Sequence, residues 1–383
     1  MDRDAGAMAP AGLKGLVVAE TGVGDVRGEE GFYHYREYSA IELATTRSLA
    51  DVWFLMFSGH LPDHTERADF AARVAERRQL PDGMAPVLRA ILGGDRTAAP
   101  LDLLRAATAA AGAMRGLRPL IDLTEAQRLD DAITMAAVVP TLVGALHRLA
   151  QGMQPLDARD DLGDAANYLW MLNGEEPSPT SVDAINAYLV STIDHGFNAS
   201  TFTGRVVAST GADLGACVVA AMAALSGPLH GGAPSRALDL LDEIGDASRI
   251  DAVLRSHLRA GERLMGFGHA VYRGDDPRSL MLRDIAISMG GPLVDLAVEV
   301  ERRALEVLAE ERPGRPLRTN VEFYAGVVMH ECGIPRELFT STFATSRVIG
   351  WCANILEQAR DRHIIRPIAR YTGPAAPQPV PAR

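Results

Sequence analysis

Aromatic side chains make up only 5% of this 383-residue chain, and Val, Ile and Thr never gather into a run of period-two alternation, so there is little from which to build a sheet. Cysteine is scarcer still. The three present, Cys217, Cys332 and Cys352, have no paired spacing, which excludes a disulfide framework and a zinc pattern and points to reduced thiols in a cytoplasm. Basic residues are outnumbered: 38 Lys and Arg face 49 Asp and Glu, a formal net charge of -11 that argues against a nucleic-acid or anionic-membrane surface. An anionic substrate would have to be captured by positive charge gathered locally. The amino terminus, MDRDAGAMAP, lacks a basic stretch followed by an apolar run, so no export signal is readable. Long hydrophobic runs are missing as well. The longest uncharged segment, Ala132 to His147, contains Pro140 and Gly144 and is shorter than a spanning helix requires. It reads as a buried helix or a subunit-interface helix.

What the chain has in quantity is alanine and leucine, with hydrophobic residues at 47% and apolar side chains recurring at spacings of three and four. This predicts an all-α fold. Helical spacing runs from Ile41 to Phe57, Glu66 to Arg78, Pro86 to Leu92 and Val294 to Arg312. Thr180 and Asp183 have the spacing of a capping box for a helix ending near Thr192, Asn198 and Ser200 can cap the next, and Asp213 starts an apolar helix over Leu214 to Leu225. With no polar face, that last helix must be buried all round, in the core or against a second subunit. Gln151 to Asp164 reads as a loop, and the proline-rich tail from Pro374 to Arg383 as an extended arm. The more charged, amphipathic texture between Ser235 and Arg318 marks a smaller helical domain, 233–337, inserted into a larger one formed by 1–232 and 338–383.

Chemistry gathers at a few places. His230 sits in a collar of three glycines and two prolines, SGPLHGGAP, straight after the apolar helix. It either caps that helix's last carbonyls or is held on a defined turn for a ligand. MGFGHAVYRGDDPR places His269 after two glycines, and Asp276-Pro277 reads as the N-cap and first residue of a new helix. Arg278 then lies in a helical first turn, where a cation gains nothing from the macrodipole; it faces an anionic ligand or pairs with Asp275 or Glu262. His195, in DHGFNASTFT, occupies a corner between helices, as a capping residue or a ligand contact. Glu322 follows Thr319 at the capping-box spacing, so its carboxylate is a cap or a general base. Arg347 interrupts an otherwise apolar helix, a position that demands an anionic partner. Glu357 is too far along the helix to serve.

These segments, with NVEFYAGVV from Asn320 and FATSRVIGW from Phe343, resemble the citrate synthase family in order and spacing, and the similarity extends from about Lys14 to Pro374. The resemblance implies an all-α, two-domain fold with substrates in the cleft between domains. It implies condensation of acetyl-CoA with oxaloacetate, followed by hydrolysis to citrate and CoA. In those terms His230, His269 and Glu322 are catalytic, His195, Arg278, Arg347 and Arg366 bind oxaloacetate, and Met265, Gly266, Phe267, Gly268 and Asn320 contact CoA. Arg366 is then contributed by the neighbouring subunit of a homodimer. No metal or redox cofactor is required, acetyl-CoA being a co-substrate, and a cytoplasmic location is expected. Two departures stand out. Glu322 occupies a position where aspartate is commoner, and Asn354 stands where many bacterial relatives have histidine, a site not among the family's catalytic residues. A 2-methylcitrate synthase using propionyl-CoA would employ the same groups, differing by one methylene that a pocket discriminates by only about 1 to 3 kcal/mol. A non-catalytic relative that binds carboxylates or CoA is the alternative from another class.

Overall fold

The computed structural model describes residues 8–93, 98–228, 230, 233–268, 271–311, 314 and 317–381. The chain enters through a three-stranded antiparallel sheet, β1 (Gly24–Arg27), β2 (Phe32–Tyr35) and β3 (Tyr38–Ser39), in which Gly24 faces Tyr35 and Arg27 faces Phe32. The expectation of an all-α chain is met except here. The alternation that builds β2 is aromatic, Phe32-Tyr33-His34-Tyr35, so a search for β-branched residues passes over it. Its two buried tyrosines explain its place: the hydroxyls of Tyr33 and Tyr35 donate to the carbonyls of Ser191 and Val190, each at 2.9 Å.

Helices α1 (Ala40–Thr46) and α2 (Leu49–Ser58) replace the single helix expected over Ile41 to Phe57. Arg47 is extended, and Ser48 restarts the helix by accepting the Asp51 N–H on its side chain. Then come α3 (His64–Arg77), α4 (Met84–Leu92), α5 (Pro100–Met114) and the long α6 (Glu125–Ala150). Residues Ala132 to His147 of α6 are buried except at Pro140, packed among α3, α5 and α7 (Asp164–Asn173). Its apolar length therefore serves the core. The loop 151–163 is irregular, as expected.

Next in order are α8 (Pro179–Thr192), α9 (Ala199–Ala208) and α10 (Leu214–Leu225). The cap of α8 is Ser178, accepting from the Ser181 N–H, rather than a box of Thr180 and Asp183; Pro179 fixes the first turn one residue earlier. Asn198 and Asp213 cap α9 and α10 as predicted. Within this chain the core does not cover α10 all round: Ala216 and Ala223 are exposed, while Val218, Ala221, Met222 and Leu225 are buried. Helices α11 (Ala233–Ile244), α12 (Ile250–Arg259), α13 (Pro277–Met289), α14 (Pro292–Glu311) and α15 (Val321–Glu331) pack chiefly on one another and meet the rest of the chain through α8, α16 (Phe339–Gln358) and α1. Helix α16 runs through the core against α6, α9 and α10. Beyond it, residues 361–381 have no helix or strand.

Candidate active site

A cavity of about 300 Å³ lies where the ends of α8 and α10 and the starts of α13 and α15 converge on α16. His195, His230, Arg278, Glu322 and Arg347 all line it. Five residues spread over more than 150 positions are thus brought to one space, and local hydrogen bonds explain how each is aimed.

His195 follows the end of α8 on a turn that Gly196 completes at φ +64°. The turn is braced by Asp194, whose carboxylate accepts the Gly196 N–H and the Asn354 side-chain amide, each at 3.2 Å. Helix α16 presses directly on this turn. A Cβ added at Gly350 would lie 2.0 Å from the Ile193 carbonyl oxygen, so only glycine permits the approach. The imidazole lies against Tyr33 and Tyr272, with Nε2 2.9 Å from the Tyr272 hydroxyl. The Thr192 carbonyl at the end of α8 accepts Arg347 Nε at 2.8 Å.

Among the described residues, His230 makes its ring hydrogen bonds with α9, not with the end of α10. Its backbone N–H closes a tight turn onto the Gly227 carbonyl at 2.9 Å, and its ring is received by the first turn of α9. Nε2 lies 2.9 Å from Ser200 Oγ and accepts the Ser200 backbone N–H at 3.4 Å. A backbone N–H can only donate, so Nε2 is the accepting nitrogen and the neutral ring carries its proton on Nδ1. Burial, and secondarily the Arg347 charge, push the imidazolium pKa down, which keeps that ring neutral and a donor. Ser200 is itself fixed by Trp351 Nε1, which donates to its Oγ at 3.1 Å.

Arg278 is 4% exposed and pairs with Asp276, the N-cap of its own helix, through contacts of 3.0 and 2.8 Å. This corrects both partners weighed from sequence: Asp275 faces Arg318, and Glu262 faces His257. Asp276 also accepts the Val321 N–H at 3.2 Å, which ties the start of α13 to the start of α15. Arg347 is different. It is 3% exposed, lies over the Phe343 ring at 4.5 Å and forms no ion pair among the described residues. Burial lowers its pKa, offset by the charge of nearby Asp194. Glu357, dismissed as too distant, pairs with Arg205 at 2.5 Å.

Glu322 occupies the first turn of α15, but the capping box with Thr319 does not form. Asn320 is the N-cap, accepting the Glu322 N–H at 3.2 Å, and the Thr319 hydroxyl turns away to Glu301. Released from capping, Glu322 Oε2 is buried with no hydrogen-bond partner among the described residues. Desolvation pushes its pKa up, partly countered by Arg278. A helix start favours the ionised carboxylate through the macrodipole, and burial works against it here.

The glycine segment before His269 runs beside this turn. Gly266 and Gly268 adopt φ of +89° and +92°, and Asn320 donates from its backbone to Gly266 O and from its side chain to Gly268 O, both at 2.9 Å. Gly268 and Asn320 face the cavity, whereas Met265, Gly266 and Phe267 are not among its lining residues. His269 lies outside the described residues. Arg366 sits exposed on the extended carboxyl-terminal segment and does not line the cavity of its own chain. Sequence reasoning passed over Asp194, Ser200, Asp276 and Tyr272 as site-shaping groups. All lie inside the quoted motifs, but only Asp194 adjoins a site residue, the one local signal available.

The family profile described as "Citrate synthase, C-terminal domain" matches residues 12–368. A putative citrate synthase 2 of Mycobacterium bovis is 38% identical over 377 residues, covering 96% of this chain and 94% of that one. The citrate synthase of Deinococcus radiodurans is 34% identical over 363 residues, covering 94% and 95%. Among solved structures, citrate synthase from Pyrobaculum aerophilum superposes with a TM-score of 0.86 at 36% identity, covering 97% of this chain and 94% of that one. A ternary complex of carboxymethyl coenzyme A and oxaloacetate with citrate synthase from Thermoplasma acidophilum does so with a TM-score of 0.87 at 28% identity, covering 97% and 98%.

Proposed function

This chain belongs to the citrate synthase family and is an acyltransferase of that type, and from that premise we propose how its own residues divide the condensation of acetyl-CoA with oxaloacetate. The observation that carries the proposal is a complementary pair in one cavity: among the described residues, a buried guanidinium without an ion pair, Arg347, and a buried carboxylate oxygen without a hydrogen-bond partner, Glu322 Oε2. Each is costly in isolation, and each is suited to one substrate.

Arg347 and Arg278 take the carboxylates of oxaloacetate, with His195 beside them; the planar guanidinium matches a carboxylate in a paired geometry. Glu322 removes a methyl proton from the acetyl thioester. His230 donates from Nδ1 to the thioester oxygen, where negative charge develops as the enol forms. The enol carbon then attacks the ketone carbon, and His269 protonates the resulting alkoxide. Water cleaves the thioester, releasing CoA and citrate. Every step is served by a side chain or water, with no metal or redox cofactor. The cleft between 233–337 and the rest of the chain holds both substrates, CoA passing along Met265 to Gly268 and Asn320. Arg366 completes the site of a partner subunit in a homodimer, and the enzyme works in the cytoplasm.

The relatives compared are named citrate synthases, which favours acetyl-CoA over propionyl-CoA. Thiol release measured with acetyl-CoA and oxaloacetate, with citrate identified by mass spectrometry, is the direct test. Activity at least tenfold greater in kcat/KM than with propionyl-CoA is expected from the one-methylene difference. Binding of both substrates without thiol release would leave a binding protein instead.

A further inference from the structure

Glu301 lies on α14 and does not line the cavity, yet its carboxylate gathers hydrogen bonds from three segments that do. Oε1 accepts the Thr319 hydroxyl at 2.7 Å; Oε2 accepts the Tyr324 hydroxyl at 2.6 Å and Arg283 Nε at 2.8 Å. Thr319 immediately precedes Asn320, the cap of α15. Tyr324 follows Glu322 by two residues on the same helix. Arg283 is on α13, the helix that carries Arg278 in its first turn. One side chain, 12% exposed, therefore clamps the start of α15 from both sides and ties it to α13.

The clamp decides what Glu322 is available to do. A threonine three residues before a glutamate at a helix start ordinarily closes a capping box, drawing the glutamate carboxylate back to the chain. Here Glu301 holds the threonine hydroxyl, the cap passes to Asn320, and Glu322 lines the cavity with its Oε2 unpaired among the described residues. Bonds from Arg, Tyr and Thr to a carboxylate are among the stronger ones, being charge-assisted, and this carboxylate has both oxygens committed. We propose that Glu301 is a positioning residue for proton abstraction: it withholds Thr319 from the capping box and fixes the direction of the Glu322 carboxylate. The proposal rests on Glu322 being the base.

Glu301→Gln keeps the side-chain volume and removes the negative charge. Its kcat is expected to fall by roughly tenfold, since misplacement by an ångström costs up to about a hundredfold. The rate of methyl-proton exchange of acetyl-CoA with deuterated solvent should fall by the same factor. Oxaloacetate affinity by calorimetry should stay within about twofold, because Arg278 keeps its pair with Asp276. The decisive comparison is with Glu322→Gln. If Glu301 acts through Glu322, adding Glu301→Gln to Glu322→Gln costs nothing further; a purely structural contribution lowers both backgrounds equally. Glu301→Gln with wild-type kcat beside an inactive Glu322→Gln, or an undiminished penalty in the double variant, overturns the positioning role and leaves the base assignment standing. Wild-type turnover in Glu322→Gln overturns both. Should Glu301→Gln not fold, Thr319→Val and Tyr324→Phe each remove one donor while keeping the Glu301 to Arg283 pair. A loss in kcat of about threefold or more in either supports the clamp, and wild-type kcat in both overturns it.

Discussion

At the scale of single residues, burial without a partner is the recurring theme, and it turns into pH dependence. Glu322 must be ionised to accept a proton, and desolvation raises its pKa, so turnover is expected to fall on the acid side at a higher pH than an ordinary glutamate would give. Replacing it with glutamine keeps the size and removes the acceptor. Steady-state assays of Glu322→Gln should show kcat lowered by at least about a hundredfold, with the melting temperature nearly unchanged because Asn320 does the capping. A variant that turns over at the wild-type rate would end the base assignment. Asp194 supplies a second, independent test. Burial pushes its pKa up to about 6, against the lowering pull of Arg347 and of its bonds from Gly196 and Asn354. A carboxyl whose folded pKa exceeds the unfolded value favours folding fully only below the unfolded value, about 4, and that contribution is lost as pH rises through about 6. Asp194→Asn escapes this loss. The stability difference, variant minus wild type, should therefore rise between about pH 4 and 6 by on the order of 2 to 3 kcal/mol, then level off. Denaturant titrations of both proteins across that range check it, and the subtraction cancels Asp131, which burial also raises to about 6. A flat difference would mean that Asp194 is ionised throughout.

At the scale of elements, the close approach of α16 to the His195 turn is the contact on which substrate binding depends. Gly350→Ala would place a methyl group 2.0 Å from the Ile193 carbonyl, and backbone cannot yield as a flexible side chain can. Overpacking of this kind costs about 1 to 3 kcal/mol, and the displaced turn carries Asp194 and His195. Weaker oxaloacetate binding and a lower denaturation midpoint are expected together; calorimetry and a urea titration that find both unchanged would show the turn to be compliant. This contact also marks where the sequence stops being informative. Helices were legible wherever a period near 3.6 met a local cap, as at Asn198, Asp213 and Asp276, because both signals lie within a few residues of each other. The break at Arg47 and Ser48 was not, since the apolar spacing continues across it. The sheet was hidden because its alternation is aromatic. Of the site, the motif residues His195, His230, Arg278, Glu322 and Arg347 were legible and do share one cavity. Their second partners were not: Ser200 for His230, Asp194 and Asn354 for the His195 turn, and Glu301 for Thr319 are joined across 18 to 160 positions. Long-range polar pairing has no periodicity to betray it.

For the whole molecule, the unresolved demand is apolar surface. Helix α6 has its apolar length inside the chain, so it offers little to a partner, but α10 leaves Ala216 and Ala223 exposed, and neighbouring α5 leaves Ala106, Ala109, Ala113 and Met114 exposed. Small side chains on two adjacent helices form a face that another pair of helices can approach closely. The carboxyl-terminal segment adds Ile364, Ile368 and Tyr371, at 61%, 81% and 72% exposure, on either side of Arg366. A segment with those residues is suited to lying against a second subunit, and Arg366, which does not line the cavity of its own chain, would then meet the partner's. In a two-fold dimer each site would combine His230 of one chain with Arg366 of the other. Arg366→Ala and His230→Ala homodimers should each be nearly inactive. After exchange of subunits, half of the dimers are mixed, and each mixed dimer has one of its two sites intact, so the mixture should recover about a quarter of wild-type activity. Native mass spectrometry establishes how far exchange has gone. If mixed dimers are present and activity does not return, Arg366 does not act across the interface. An arginine serving its own chain's site predicts that silence, because every site in the mixed dimer would then carry one of the two substitutions.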